Sequence, residues 1–426
     1  MTMSTRSVQL GLIGILAAST LTAQSKPAPA RANGFDPQRL ARIDTFMQRA
    51  VDSNRLAGAV LLVMRDGNVV YERAFGWADR EARRPMRTDA MFRIASQSKA
   101  ITSAALLSLV EEGKAAVNDP VSLYIPSFAR TTVATRTDTA VVIVPARRQI
   151  RLADLLTHTA GISYGGDRSV VDAYRAAGLG PAAGFGWYTA DKDEGVCATM
   201  ERLGTLPMVA QPGEAWVYGY NTDVLGCVVE RAARVPLDAA IRSRVTGPLK
   251  MNDTHFFIPV AQRDRLVTVY TSDSTNHAVR AIEGSRGQGH YVDGPRRNFS
   301  GGAGLISTAR DYARFLEAMR NGGALDGMRI LAPHTVALMT TNQVGNLHGT
   351  NGLGFGFGFE TVDRFGAKGM SSVGTFHWAG AYGSVYFVDP KERLIGVFMT
   401  NMLPSRSDAA DKFPTLIYQA LTGSVP

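Results

Sequence analysis

The stretch Ala95-Ser96-Gln97-Ser98-Lys99 is followed by apolar residues at helical spacing, which are Ile101, Ala104, Ala105, Leu106, Leu109 and Val110. These residues cover most sides of the helix that they predict, as expected for a helix at the centre of a core. Gly113 is placed to end the helix. We therefore expect the rest of the chain to pack around a buried helix that begins near Ser96.

Ser96 and Lys99 are one helical turn apart and so share a face of this helix. At a helix start, unpaired backbone N–H groups and the positive end of the dipole favour a developing anion near the serine. Burial removes solvent from an ammonium and favours the neutral amine, so Lys99 can act as a base. The alternative is a helix-capping serine beside a solvated lysine. A lysine within an apolar helix start favours the catalytic interpretation.

Strand patterns lie toward both ends of the chain. Residues 59–64 and 69–71 flank the turn signal Asp66-Gly67-Asn68 and predict a β-hairpin. The C-terminal part predicts strands at 352–359, 384–388 and 394–400, and helices at 311–320 and 408–421. Sheet-forming sequence thus comes from the two ends, with helical sequence between them.

The simplest architecture with this order of patterns is an α/β (α+β) fold. An antiparallel β-sheet is flanked by helices and interrupted by a mostly helical insertion. Short helical patterns and Gly-, Pro- and polar-rich loops alternate in the insertion. The expected boundaries are 1–32 for a signal peptide, 33–114 and 295–426 for the discontinuous α/β domain, and 115–294 for the helical domain.

The N-terminus predicts a cleaved signal peptide. Arg6 precedes an apolar run over residues 8–18 that is too short to span a bilayer. Ala30-Arg31-Ala32 offers small residues at the cleavage positions, with Ala23 as a competing site. An uncleaved anchor is the alternative. We therefore expect a periplasmic or secreted protein without stable membrane insertion.

Composition and charge exclude several classes of protein. The 426 residues are 45% hydrophobic and 19% charged, which is ordinary for a globular chain and excludes extended disorder, collagen and coiled coil. The formal charge is +9, but no five like charges follow one another, so no nucleic-acid partner is expected. Only eight of the 46 basic residues are lysines, which makes Lys99 in its apolar helix more notable.

Other candidate sites are weaker. The seven histidines include no pair at zinc-site spacing, so no metal or other cofactor is expected. Gly161-Ile162-Ser163-Tyr164-Gly165 fits the GxSxG pattern, but a nucleophile elbow needs a strand before the serine and a helix directly after it. A helical pattern precedes and glycines follow, so we interpret this segment as a loop. Cys197 and Cys227 can form a disulfide after export, or remain two buried free thiols.

Seven segments form an ordered set. They are Phe92–Lys99, Asp119–Val121, Leu155–Ile162, Pro212-Gly213 with Trp216 and Tyr218, Asp223–Gly226, Gly301–Thr308, and Trp378–Gly380 leading to Val388–Pro390. In this order they resemble the serine β-lactamase and penicillin-binding superfamily, above all the class C β-lactamases and the family VIII carboxylesterases. The resemblance spans nearly all of the chain after residue 32 and implies a class C β-lactamase-like fold with one active site.

The resemblance also implies residue roles. Ser96 would be the acylated nucleophile, and Lys99 and Tyr218 would share proton abstraction. Which of the two is the base stays open, because a coupled pair need not have one answer. The backbone N–H groups of Ser96 and Ala381 would form the oxyanion hole. The implied substrate-binding positions are Trp378, Ala379, Gly380 and Tyr220.

Two departures from β-lactamases bear on the substrate. Trp378-Ala379-Gly380 replaces Lys-Thr-Gly and removes the ammonium that helps to bind a β-lactam carboxylate, whereas family VIII esterases typically carry Trp-x-Gly. Tyr220 replaces an asparagine that contacts an acylamido side chain. Both favour short-chain carboxylic esters, since an apolar tryptophan wall suits a neutral small-molecule substrate. The resemblance implies promiscuous cephalosporin hydrolysis as a side activity.

Three alternatives remain at this point. Two are enzymes of the same class, a dedicated class C-type β-lactamase and a D-alanyl-D-alanine carboxypeptidase. The third is a catalytically silent relative that binds peptidoglycan or another ligand. The presence of Ser96, Lys99 and Tyr218 favours an enzyme.

Overall fold

The structure is a computed structural model. It describes Met1 and residues 34–137, 140–181, 187–282 and 291–423. The predicted signal peptide, 1–32, lies outside the described residues except for Met1.

Within the described residues, the first helix begins at residue 37. The helices are α1 (Pro37–Leu40), α2 (Arg42–Asp52), α3 (Ser98–Glu111), α4 (Leu152–Leu156), α5 (Val171–Ala176), α6 (Val196–Gly204), α7 (Asn221–Ala233), α8 (Leu237–Ile241), α9 (Ala309–Arg320), α10 (Pro333–Thr340) and α11 (Ala409–Tyr418). The strands are β1 (Gly58–Arg65), β2 (Asn68–Asp79), β3 (Arg84–Pro85), β4 (Phe92–Arg93), β5 (Thr132–Arg136), β6 (Val141–Pro145), β7 (Tyr270–Ser272), β8 (Ala278–Arg280), β9 (Ile306–Ser307), β10 (Ala324–Leu325), β11 (Met328–Arg329), β12 (Leu353–Phe355), β13 (Glu360–Val362), β14 (Phe376–Ala379), β15 (Val385–Asp389) and β16 (Leu394–Met399).

Eight strands form one antiparallel sheet in the order β12-β13-β14-β15-β16-β1-β2-β3. β1 and β2 form the predicted hairpin. β16 pairs with β1, with Val60 opposite Met399, and so joins the two ends of the chain in the middle of the sheet. The predicted antiparallel sheet flanked by helices is confirmed.

The sheet separates two apolar cores, and β1 contributes to both. Val60 and Leu62 point to one side, where they pack with residues of α3 and α9. Ala59, Leu61 and Val63 point to the other side, against α2 and α11. Because successive strand residues face opposite sides, a strand covered on both faces is apolar throughout rather than alternating. The buried helix α3, predicted from its apolar surround, lies in the first core.

Residues 115–294 contribute the helices α4–α8 together with the small hairpins β5–β6 and β7–β8. α7 packs directly against α3. No helix in the described parts of the chain combines the length and the apolarity needed to cross a membrane. The proposed domain boundaries stay a prediction.

Two local expectations are resolved by the structure. The single strand predicted over 352–359 was wrong, because the chain forms β12, turns, and returns as β13 from Glu360. Gly358 makes the turn possible, since its φ of +104° is unfavourable for residues with a Cβ. Cys197 and Cys227 form a disulfide, so the free-thiol alternative does not apply.

Candidate active site

Ser96 lies in a short 3-10 turn, Ala95–Gln97, that leads directly into α3. Ala95 is fully buried and adopts φ +42°, a conformation that is costly for a residue with a Cβ. Such strained residues persist where the surrounding structure enforces them, often at functional sites. The turn leaves Ser96 half-buried at the entrance to α3, as expected from the sequence.

Lys99 is buried on the first turn of α3, with a side chain that is 2% exposed. Its Nζ lies 3.3 Å from Ser96 Oγ, 3.0 Å from Tyr164 Oη and 2.8 Å from the Gly302 carbonyl oxygen. These three oxygens match the three donors of an ammonium. A neutral amine in the same place is within reach of the serine proton. The structure therefore brings the predicted pair together.

Tyr218 lies on the loop before α7 and presents its ring to Lys99, with Nζ 4.7 Å from the ring centroid. The indole N–H of Trp378 donates a hydrogen bond of 3.2 Å to Tyr218 Oη. The side chain that stands in place of a lysine thus supplies a neutral donor to the tyrosine hydroxyl. A hydrogen bond to this oxygen orients it and stabilises negative charge on it.

Tyr164 is a further contact of Lys99 that the sequence patterns did not predict. Its hydroxyl accepts from Lys99, and its ring packs edge-on against Tyr218, with centroids 5.6 Å apart. Burial, followed by the proximity of Tyr218, raises the pKa of Tyr164 well above its ordinary value. The neighbouring Ser163 accepts a hydrogen bond from the Gly165 N–H, consistent with the loop interpretation of this segment. No residue pattern marked Tyr164, because its role depends on where the loop lies in the fold.

The end of β14 reaches the turn that carries Ser96. A Cβ on Gly380 would lie 2.5 Å from the Ile94 carbonyl oxygen, so only glycine allows this close approach. Ala95 packs with Tyr382 and Ala381 in the same small cluster. Among the described residues, no backbone hydrogen bond uses the Ala381 N–H. The part of this N–H group in an oxyanion hole stays a prediction.

Aromatic rings line the side of the site that Trp378 occupies. Trp378 lies 5.5 Å from Tyr218 and 5.3 Å from Phe355, and Trp216 stacks on Tyr218 at 5.7 Å between centroids. His158 lies 4.8 Å from Tyr218 in the same cluster. Burial, and then the charge on Lys99, lower the pKa of His158 well below its ordinary value, so its imidazole is neutral.

The family model described as Beta-lactamase matches residues 43–420. The chain belongs to the β-lactamase family. It is 37% identical to Esterase EstB of Burkholderia gladioli over 381 residues, 85% of this chain and 90% of that protein. It is 29% identical to Lovastatin esterase of Penicillium rubens over 390 residues, covering 83% and 91% of the two chains.

Among solved structures, this β-lactamase family member is similar to EstCE1, described as a hydrolase with promiscuous acyltransferase activity. The TM-score is 0.71, with 27% identity and coverage of 91% of this chain and 99% of the other. The shared fold extends over both the sheet and the helical part of the chain.

Within this β-lactamase fold, the two predicted substrate-binding residues Tyr220 and Ala379 differ in solvent exposure. Tyr220 is buried, its hydroxyl accepts from the Gly180 N–H, and its ring packs edge-on against Tyr164 at 4.9 Å. Tyr220 thus packs against Tyr164, and its role in substrate binding stays a prediction. Ala379 is exposed at the end of β14. No group of three or more His, Cys, Asp or Glu in the described ranges is arranged to bind a metal ion.

Proposed function

We propose that this member of the β-lactamase family is a serine carboxylesterase that hydrolyses short-chain esters through an acyl-enzyme on Ser96. The observation that carries the proposal is the placement of Lys99 Nζ 3.3 Å from Ser96 Oγ and over the ring of Tyr218. The esterase names of the relatives, at 37% and 29% identity, support the same reaction.

The acylation step follows from the contacts of Ser96. Lys99 and Tyr218, acting as a coupled pair, remove the proton from Ser96 Oγ as the oxygen attacks the ester carbonyl. The backbone N–H groups of Ser96 and Ala381 stabilise the oxyanion. The C–O bond to the alcohol breaks, and the proton held by the pair passes to the departing alkoxide.

Deacylation reverses these roles with water as the nucleophile. The pair takes a proton from a water molecule that attacks the Ser96 ester, and it returns that proton to Ser96 Oγ when the acid leaves. No cofactor is needed, because every proton transfer is served by Lys99, Tyr218 and Ser96.

A neutral ester suits the site better than a β-lactam. The Trp378 indole gives Tyr218 a neutral N–H donor where a lysine would add a cation. A β-lactam carboxylate therefore lacks one attractive charge, whereas a short acyl or alkyl group gains contact with the aromatic wall. We propose cephalosporin hydrolysis only as a weak side activity.

The two serines of the candidate motifs provide the test. Ser96→Ala should abolish hydrolysis of p-nitrophenyl butyrate, and a fluorophosphonate should add to Ser96 in intact-mass and peptide analysis. Ser163→Ala is the matched control and should leave most of the activity, because Ser163 Oγ bonds only within its loop among the described contacts. Activity that survives Ser96→Ala but not Ser163→Ala would refute the assignment.

We also propose export to the periplasm or the medium. The apolar segment after Arg6 and the Cys197–Cys227 disulfide support it, since disulfides persist mainly in oxidising compartments. N-terminal sequencing of the protein recovered from cell fractions tests this proposal, with a mature start near residue 33 expected. Recovery from the cytosol with an intact Met1 would contradict it.

A further inference from the structure

The Gly301–Gly302 turn, from a distant part of the chain, contacts Lys99. The Gly302 carbonyl accepts from Lys99 Nζ at 2.8 Å, which is shorter than the contact of the amine with Ser96. The neighbouring Gly301 carbonyl accepts from Thr102 Oγ1 of α3, also at 2.8 Å. The Gly301–Gly302 turn therefore contacts both the lysine amine and the helix that carries it.

Asp223 forms hydrogen bonds with this turn. It is fully buried in the first turn of α7, and its Oδ1 accepts from the Gly302 N–H at 3.1 Å and from Ser300 Oγ at 2.6 Å. The same residue, Gly302, thus donates to Asp223 and accepts from Lys99. We propose that Asp223 is a positioning residue that acts through the Gly302 backbone to hold the Lys99 amine against Ser96. The inference rests on the proposed function of Ser96 and Lys99.

Electrostatics agree with this placement. Burial raises the pKa of Asp223, whereas the hydrogen bond from Ser300, then the charge on Lys99 and the bond from Gly302, oppose the rise. Tyr164 and Tyr220 also face this carboxyl group, and its proximity contributes to the raised pKa of each. Asp223 and the amine therefore belong to one buried cluster, although no direct hydrogen bond joins them among the described contacts.

Substitution of Asp223 by asparagine keeps its hydrogen bonds to Gly302 and Ser300, whereas substitution by alanine removes them. The asparagine side-chain carbonyl oxygen can accept the same two hydrogen bonds as Oδ1. Asp223 Oδ2 has no hydrogen-bond partner among the described residues, so its replacement by an amide nitrogen removes no bond. We expect Asp223→Asn to retain most of kcat. Asp223→Ala should lower kcat about 100-fold, the size of effect expected from a displacement near 1 Å, with little change in KM.

Asp311 provides a matched control. It is another buried aspartate in the first turn of a helix, α9, and it accepts one backbone N–H, from Asp253, and one hydroxyl, from Thr254. It contacts none of the proposed catalytic residues among the described hydrogen bonds. Asp311→Ala should therefore lower thermal stability to a similar extent while leaving kcat nearly unchanged.

The experiment measures kcat and KM for p-nitrophenyl butyrate, the rate of fluorophosphonate labelling of Ser96, and the thermal midpoint of each variant. Slow labelling in Asp223→Ala with normal labelling in Asp223→Asn and Asp311→Ala supports the inference. If Asp223→Ala does not fold, Asp223→Leu, which keeps the branch at Cγ but carries no hydrogen-bond acceptor, replaces it.

Wild-type kcat in a folded Asp223→Ala or Asp223→Leu variant would overturn the inference, as would an equal loss of kcat in Asp223→Asn and Asp223→Ala. A wild-type protein whose Ser96 is not labelled would instead refute the proposed function. The two failures are therefore distinguishable.

Discussion

The Tyr164 hydroxyl accepts a hydrogen bond from the Lys99 amine, and no sequence pattern predicted this contact. Because it accepts from Lys99 at 3.0 Å, its loss leaves one donor of a buried ammonium without a partner. A hydrogen bond to a charged group contributes about 1.5–3 kcal/mol, so Tyr164→Phe should lower kcat/KM roughly 10- to 100-fold. Steady-state hydrolysis of p-nitrophenyl butyrate measures the effect.

Tyr174 supplies the matched control for this variant. It is fully buried, and its hydroxyl has no hydrogen-bond partner among the described residues. Tyr174→Phe should therefore keep kcat/KM close to that of the wild type. Equal rates for the two variants would show that the Tyr164 hydroxyl does not act on Lys99.

Trp378 is the residue expected to determine the preference for esters. Trp378→Lys should raise kcat/KM for nitrocefin relative to p-nitrophenyl butyrate at least about tenfold, because an ammonium attracts the β-lactam carboxylate. Trp378→Phe keeps an aromatic wall and removes the indole N–H that bonds to Tyr218. That control should slow ester hydrolysis without favouring nitrocefin. A ratio unchanged in Trp378→Lys would contradict this explanation of specificity.

The residues of the site differ in how far the sequence could predict them. Ser96 lies in the turn that leads into α3 and Lys99 lies in the first turn of that helix, so their relation follows from local spacing and is visible in the sequence. Tyr164 and the Gly302 carbonyl reach Lys99 only because separate loops converge on α3. For Tyr220 the sequence identified the position, but its burial depends on packing against Tyr164. Long-range placement of this kind leaves no periodic signal.

At the scale of elements, the disulfide connects two helices beside the site. Cys197 in α6 and Cys227 in α7 are 30 residues apart in the chain. A cross-link that closes a loop of this length is expected to stabilise the fold by about 3.6 kcal/mol. The double variant Cys197→Ala/Cys227→Ala should therefore unfold at a lower temperature than the wild type by several degrees.

The same experiment tests whether the disulfide matters to the site. α7 follows Tyr218 and carries Asp223. Thermal unfolding of this helix should therefore inactivate the enzyme at the same temperature. Differential scanning fluorimetry and residual esterase activity after heating should give matching midpoints. Reduction of the wild type should lower its midpoint toward that of the double variant. Identical midpoints for the oxidised wild type and the double variant would contradict the prediction.

The strands show why some elements were predicted more accurately than others. The β1–β2 hairpin combines two apolar segments with a strong turn signal, and both are local. In residues 352–359 the alternation of glycine and apolar residues resembles one strand, yet the chain reverses at Gly358. The reversal requires a positive φ, which the sequence permits at every glycine and therefore specifies at none.

For the whole molecule, the sequence predicted the sheet and its first hairpin but not the order of its eight strands. Apolar strands near both ends of the chain indicated one antiparallel sheet, and the β1–β16 pairing realises it. The burial of β1 on both faces explains why it carries no alternation from which its neighbours could be inferred. The convergence of α3, α7 and the Gly301–Gly302 turn depends on this global arrangement.

Stability should fall in mildly acidic solution because of buried histidines. Burial lowers the pKa of His377 to about 4, against an ordinary value of 6.5, although the adjacent Glu360 partly opposes the effect. Lys368 and His348 also face this cluster. Between these two pKa values the unfolded chain binds more protons than the folded one, so the free energy of unfolding decreases as the pH falls.

For His377 alone this linkage amounts to about 2 kcal/mol at pH 5 relative to neutral pH. Urea unfolding of the wild type and of His377→Gln at pH 7.5 and pH 5 measures it, and the variant should lose about 2 kcal/mol less than the wild type between the two values. His334→Gln, at an exposed position in α10, is the control and should keep the wild-type dependence. An equal loss in all three proteins would mean that His377 takes up its proton in the folded state as readily as in the unfolded chain.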